Sequence, residues 1–200
     1  MSPKQVRGEQ TITRLLDAAL EVYRERGPEG FSVQAVTAAS GVSLGSLYHH
    51  FGGFDDLAAA LYGRCMTELL DAILDRLDRA RTARTGVRAV VTAYLEFVRT
   101  DPAKARFIHA WAYAAFLPAR AAVIAEAKRP RIERMMAWAR PHVAAGRLVD
   151  LPDPYLEMLL IGPVAETARR WLAGGSGIDL ERAERVLPER VWQSLRGPAG

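Results

Sequence analysis

A chain of 200 residues, half of them hydrophobic, can bury a sizeable core as one large domain or two small ones. Its single cysteine, Cys65, excludes an intrachain disulfide, and no uncharged apolar run approaches the ~18 residues of a membrane span, so a cytoplasmic protein with no membrane partner is expected. The net charge of +4 is not a nucleic-acid footprint, because residues 1–54 balance five cations with five anions and the excess lies beyond them.

Residues 1–8 read as a polar arm, with Lys4 and Arg7 either solvated or within reach of a phosphate. Ile12, Leu15, Leu16, Ala19 and Tyr23 then recur on one helical face, and Gly27-Pro28 stops that helix. Ser32 is a candidate N-cap for a short helix carrying Val33 and Val36. Gly41 turns the chain, and Ser43 opens a second short helix anchored by Leu47 and Phe51. Two short helices joined by a three- or four-residue turn with glycine are the pattern of a helix-turn-helix. The second of them turns Leu44, Gly45, Ser46, Tyr48, His49 and His50 outward, a face with no carboxylate to repel phosphate.

Gly52-Gly53 forms a joint, and a long helix is expected from Phe54 to Arg81 with Leu57, Leu61, Leu69, Ile73 and Leu77 on its apolar side. The joint places a domain boundary after residue 53, dividing the chain into 1–53 and 54–200. Cys65 falls inside the long helix and reads as a small buried hydrophobe, with a redox sensor as the sharper alternative. A break at Thr82–Gly86 precedes a helix from Val87 to Arg99, and Asp101-Pro102 caps and opens the next. The following segment, AKARFIHAWAYAAFLP, is apolar nearly all round and reads as a buried helix. A helical region from Arg120 to Ala145, interrupted near Pro130 and Pro141, leads to a loop at 146–154. Tyr155 to Leu172 carries Gly162-Pro163 as an expected kink, and Asp179 caps a last helix that Pro188 should bend. With no strand alternation and no internal repeat, the chain reads as all-α with about nine helices.

The run GVSLGSLYHHFGGFDDL (41–57), with LLDAALEVYRERG (15–27) and GFSVQAVTAASGV (30–42) before it, resembles the DNA-binding signature of the TetR family of transcriptional regulators. The resemblance is strong over about the first quarter of the chain and architectural beyond it. It implies a three-helix DNA-binding head, a larger helical domain for ligand binding and dimerisation, and a homodimer on a palindromic double-stranded operator. Ser46, Tyr48 and His50 would lie along the phosphate backbone, as hydroxyl, phenol and imidazole donors that fix register. Base reading would fall to Leu44, Gly45 and His49, with Gln34 and Thr37 from the preceding helix; Leu44 suits a thymine methyl and His49 or Gln34 a purine edge. Ser32 and Ser43, at the two helix N-termini, complete the candidate DNA contacts. The family usually has lysine where this chain has Phe54, followed by Asp55 and Asp56, so a shallow salt dependence is expected.

An enzyme reading finds one motif. Gly41-Val42-Ser43-Leu44-Gly45 matches the G-x-S-x-G nucleophile elbow, which needs a strand running into the turn; the residues before it have helical period instead. No catalytic residue, metal site or cofactor is expected. In the larger domain, Tyr94, Phe107, His109, Trp111, Tyr113 and Trp138 are candidate walls of a pocket for an unknown small-molecule effector, with His109 and Tyr113 as polar hooks. The same aromatics also suit an ordinary core. Leu159, Leu160, Val164, Trp171, Val191, Trp192 and Leu195 mark the last two helices as the expected subunit interface. The expected function is a ligand-responsive regulator, a repressor by the family's usual role. The rival reading is a helical small-molecule-binding protein or enzyme with a vestigial DNA-binding head.

Overall fold

The computed structural model describes residues 3–111, 117–175 and 177–200. Among them the chain is all-α: α1 (Pro3–Gly30), α2 (Val33–Ser40), α3 (Leu44–Phe51), α4 (Phe54–Leu77), α5 (Ala83–Thr100), α6 (Pro102–Trp111), α7 (Leu117–Ala144), α8 (Asp153–Leu172) and α9 (Leu180–Leu195). One isolated antiparallel bridge, Leu148 to Arg196, ties the α7–α8 loop to the end of α9.

Helices α1, α2 and α3 pack around Leu15, Ala19, Val22, Val36 and Leu47, each at most 1 % exposed. Gly27 breaks α1 near its end, with φ 65° and ψ −169°, a backbone that side-chain-bearing residues rarely adopt. The expected apolar face of α4 holds: Leu57, Leu61, Leu69, Ile73 and Leu77 are all buried, and α4 packs on both α5 and α7. Helix α5 packs in turn on α8 and α9.

Several boundaries differ from those expected. Helix α4 stops at Leu77 rather than Arg81. Helix α5 begins at Ala83, where a break was expected, because Thr82 and Thr85 form a reciprocal capping box that satisfies the first free N–H groups. Helix α7 runs through Pro130 and Pro141, and α8 through Pro163. Each proline forfeits one backbone hydrogen bond, yet all three are solvent-exposed, so water can reach the freed carbonyls. The expected buried helix over 103–118 is described only up to Trp111; residues 112–116 lie outside the described residues.

Several of the cations beyond the head join helices. Arg131 of α7 grips Asp71 of α4 through two bonds of 2.7 Å, Arg134 pairs with Asp78, and Arg99 and Arg84 of α5 reach Glu184 and Glu189 of α9. As exposed pairs each contributes little to stability, roughly 0–1 kcal/mol, and their cations serve to join helices.

Cys65 is fully buried, and burial pushes its thiol up to about 12, with Glu68 adding to the shift. A group so far above neutrality holds almost no thiolate, which is the nucleophilic form, so Cys65 takes the packing role. The folded protein is expected to resist a thiol-labelling reagent at pH 8 and to label rapidly only once denaturant unfolds it. Fast labelling of the folded chain would restore the redox-sensor reading.

Candidate functional site

The head's exposed surface is built by two N-caps and a tight turn. The Ser32 hydroxyl oxygen accepts from the Ala35 N–H at 3.3 Å, and the Ser43 oxygen accepts from the Ser46 N–H at 3.2 Å. Between them Gly41 adopts φ 65°, ψ 17° and its N–H donates to the Thr37 carbonyl, closing α2. Arg14 of α1 donates to the Ser40 carbonyl at 2.7 Å, placing a cation at the negative end of α2. Leu47 is fully buried and pins α3 against α1 and α2, which fixes what the rest of α3 displays.

Leu44 and Tyr48 are 51 % and 48 % exposed, unusual for side chains of that size. Gln34, Ser43, Gly45 and His49 are exposed beside them; Ser32, Thr37, Ser46 and His50 are half-buried. Thr37 is committed locally, its hydroxyl within reach of the Val33 and Gln34 carbonyls. A Cβ at Gly45 would meet nothing within 4 Å, so the fold itself does not require glycine there. That smallness suits close approach of another molecule's surface to the α3 backbone. Asp56, one of the two acids after the joint, is held by Arg120 of α7 through bonds of 2.7 and 3.0 Å, and this guanidinium keeps its carboxyl below the usual range. Only Asp55 is left exposed at that edge.

Larger cavities lie among α4 to α8. A chamber of about 380 Å³ is walled by Tyr62, Met66 and Leu69 of α4, Tyr94 of α5, Ile108 and His109 of α6, Lys128 of α7 and Arg169 of α8. Tyr94 Oη and His109 Nε2 stand 3.2 Å apart. Burial raises the Tyr94 pKa, and burial reinforced by the charge of Arg169 lowers that of His109. At neutral pH the two form an uncharged donor–acceptor pair in the chamber lining, an arrangement suited to orienting a ligand. Glu166 is gripped by Arg169 and Arg170 and held down to about 2.

Of the candidate pocket residues, Tyr94 and His109 are brought together on the chamber and Trp138 lines a second, apolar cavity beside it. Phe107 is on neither wall. It is fully buried where α6 meets the head, edge-on to Tyr23 at 4.8 Å and Phe31 at 5.6 Å. Position on α6 explains the difference: two residues from His109, a helical side chain points to another side. Tyr113 and the Trp111 side chain lie outside the described residues. Sequence reasoning missed Lys128, Glu157 and Arg169 of the chamber lining, because a single charged residue on a helix carries no local signal of the cavity it borders. Of the apolar residues expected at the subunit interface, Val164, Val191, Trp192 and Leu195 are buried within this chain, whereas Leu159 is exposed. With Leu159, the large apolar groups exposed on these helices among the described residues are Tyr155 and Met158 of α8 and Val186 of α9.

This architecture, with a glycine-turned helix pair presenting an exposed, carboxylate-free α3, defines an all-α helix-turn-helix protein. Residues 15–61 match the family described as bacterial regulatory proteins, tetR family. The chain is 26% identical over 187 residues to the HTH-type transcriptional activator FasR of Mycolicibacterium smegmatis, covering 91% of this chain and 81% of that protein. It is 34% identical over 93 residues to the HTH-type transcriptional repressor Rv3405c of Mycobacterium tuberculosis, covering 43% of this chain and 50% of that protein. The crystal structure of the transcriptional regulator FadR from Bacillus subtilis in complex with stearoyl-CoA shares the fold with a TM-score of 0.73 at 18% identity, over 90% of this chain and 96% of that one. Residues 15–61 thus carry the DNA-binding signature of the tetR family, and the relatives in sequence are HTH-type transcriptional regulators.

Proposed function

We propose that the chain is a dimeric operator-binding repressor released by a small molecule, with residues 1–53 as the DNA-binding head and 54–200 as the ligand-binding and dimerisation domain. The observation that carries this reading is that one helix, α4, borders both sites: it starts at Phe54, just past the head, and two turns on it walls the chamber through Tyr62, Met66 and Leu69. A ligand that reshapes the chamber therefore acts on the rod that holds the head. Gly52, with φ 77°, supplies the joint, and the Asp56–Arg120 pair ties the start of α4 to α7.

In this reading Ser46, Tyr48 and His50 meet phosphates while Leu44, Gly45 and His49, with Gln34 and Thr37, face base edges. The exposed Tyr155, Met158 and Leu159 of α8 and Val186 of α9 supply the twofold contact, which sets the two α3 helices about one DNA turn or a multiple apart. That FadR was crystallised with stearoyl-CoA supports a small-molecule effector in this architecture. Coupling requires only that the effector bind the non-DNA arrangement more tightly.

The test is capture of fragmented genomic DNA from the encoding organism at two salt concentrations, followed by operator affinity as a function of salt. A recurrent palindrome is expected, with a shallow slope, because the head's five cations balance five anions. A slope as steep as that of a protein making ~8 phosphate contacts would overturn the contact set. No enrichment at either salt would favour a vestigial head.

A further inference from the structure

A smaller cavity adjoins the chamber. Ile132, Met135, Glu157 and Ile161 border both, so these four side chains are the partition between the two. That smaller arm holds about 40 Å³ and, apart from Glu157, is lined only by apolar side chains, among them Leu77, Val87, Leu148 and Leu195. Its polarity is opposite to that of the chamber, whose lining includes Tyr94, His109, Lys128 and Arg169.

The charge balance of that lining favours an anion. Glu166 is already neutralised by Arg169 and Arg170. Among the described residues no carboxylate lies within ion-pairing distance of the half-buried Lys128 ammonium. Burial, and then the charge of Arg169, lower the pKa of His109. The remaining acid, Glu157, borders the junction with the arm and would turn a negative group away from it.

Trp138 lines the arm. A Cβ at Gly86 of α5 would lie 2.0 Å from Trp138 Cζ2, so the indole rests on bare backbone that no other residue would leave open. The His142 ring also lies beside it, at 4.6 Å. A space of 40 Å³ is about three water positions, enough for the last few carbons of a chain and no more.

We propose that chamber and arm form one site for an amphipathic anion, with the head at Lys128, His109 and Tyr94, and that Trp138, seated on Gly86, limits the hydrocarbon the site admits. This rests on the effector reading above. Every methylene accommodated tightens binding roughly fourfold, and every methylene refused forfeits that gain, so a wall at fixed depth imposes a chain-length optimum.

The test is calorimetric affinity of the full-length protein for hexanoate, decanoate and palmitate, with decanol as the uncharged control, on wild type, Trp138→Ala and Trp138→Phe. Expected are tighter binding of decanoate than of hexanoate or decanol, weaker binding of palmitate, and a relative gain for palmitate of at least ~10-fold in Trp138→Ala. Trp138→Phe, which keeps a ring on Gly86, should shift the optimum partway and keeps the test available if the alanine variant fails to fold. An unchanged chain-length preference in the folded variants would overturn the gauge. Equal binding of decanol, or no binding of any acid, would overturn the anion site. If the acids bind as expected but leave operator affinity unchanged, the release mechanism falls while the site stands.

Discussion

Combining Tyr48→Phe with His50→Ala is expected to lower operator affinity by at least ~1000-fold and to leave the thermal unfolding midpoint and ligand binding nearly unchanged. The magnitude follows from the phosphate contacts proposed for the two side chains. A hydrogen bond to a charged group is worth roughly 1.5 kcal/mol at the low end, and a twofold dimer forfeits four of them, about 6 kcal/mol if they were additive. Partial replacement by water accounts for the lower figure. Stability is spared because Tyr48 is 48 % exposed and His50 lies off the buried anchor of α3, which is Leu47. Electrophoretic mobility shift on the captured palindrome, paired with calorimetric unfolding, reads both quantities. Affinity within about threefold of wild type would remove both residues from the DNA contact set.

Phe107→Ala is expected to cost about 3–5 kcal/mol of stability, among the largest losses any single truncation in this chain would cause. The ring has no exposed surface, and it meets Tyr23 edge-on at 4.8 Å and Phe31 at 5.6 Å. Phe31 continues the cluster to Phe54, at 4.9 Å. Such pairs add roughly 0.5–1.5 kcal/mol each beyond the buried area. Because the cluster joins α6 to α1 and to the start of α4, truncation also loosens the head. Urea unfolding with a reporter in the head measures both effects. A loss below about 1 kcal/mol, accompanied by altered ligand affinity, would return Phe107 to the pocket wall where the sequence placed it.

How much could be read in advance depended on whether the cause was local. The helix-turn-helix was legible because Ser32, Gly41 and Ser43 act within four residues of themselves, by capping or by tolerating a positive φ. The α4 stripe was legible for a similar reason, since Leu57, Leu61, Leu69, Ile73 and Leu77 repeat at the helical period. The start of α5 was legible in principle through the Thr82–Thr85 box, but Gly86, packed under Trp138, looked like a turn. Its small size serves an approach by a residue more than fifty positions away, which no local pattern reports.

The chamber belongs wholly to the second kind. Aromatic residues along α5, α6 and α7 could equally line a cavity or fill a core, and the composition of each helix is the same in both cases. Only the packing of α4, α5, α6, α7 and α8 against one another sends Tyr94 and His109 to one wall, Phe107 to the head, and Trp138 onto Gly86. Likewise, apolar residues on α8 and α9 predict burial but not against what; the fold consumes Val164, Val191, Trp192 and Leu195 internally and leaves Tyr155, Met158 and Leu159 outside. Local conformational preference, carried by caps, glycine and helical period, thus dictates the helices and the DNA-binding head. The orientation of each helix about its own axis, set by side chains distant in sequence competing for the same buried volume, decides where the cavity lies and which apolar face remains unpaired.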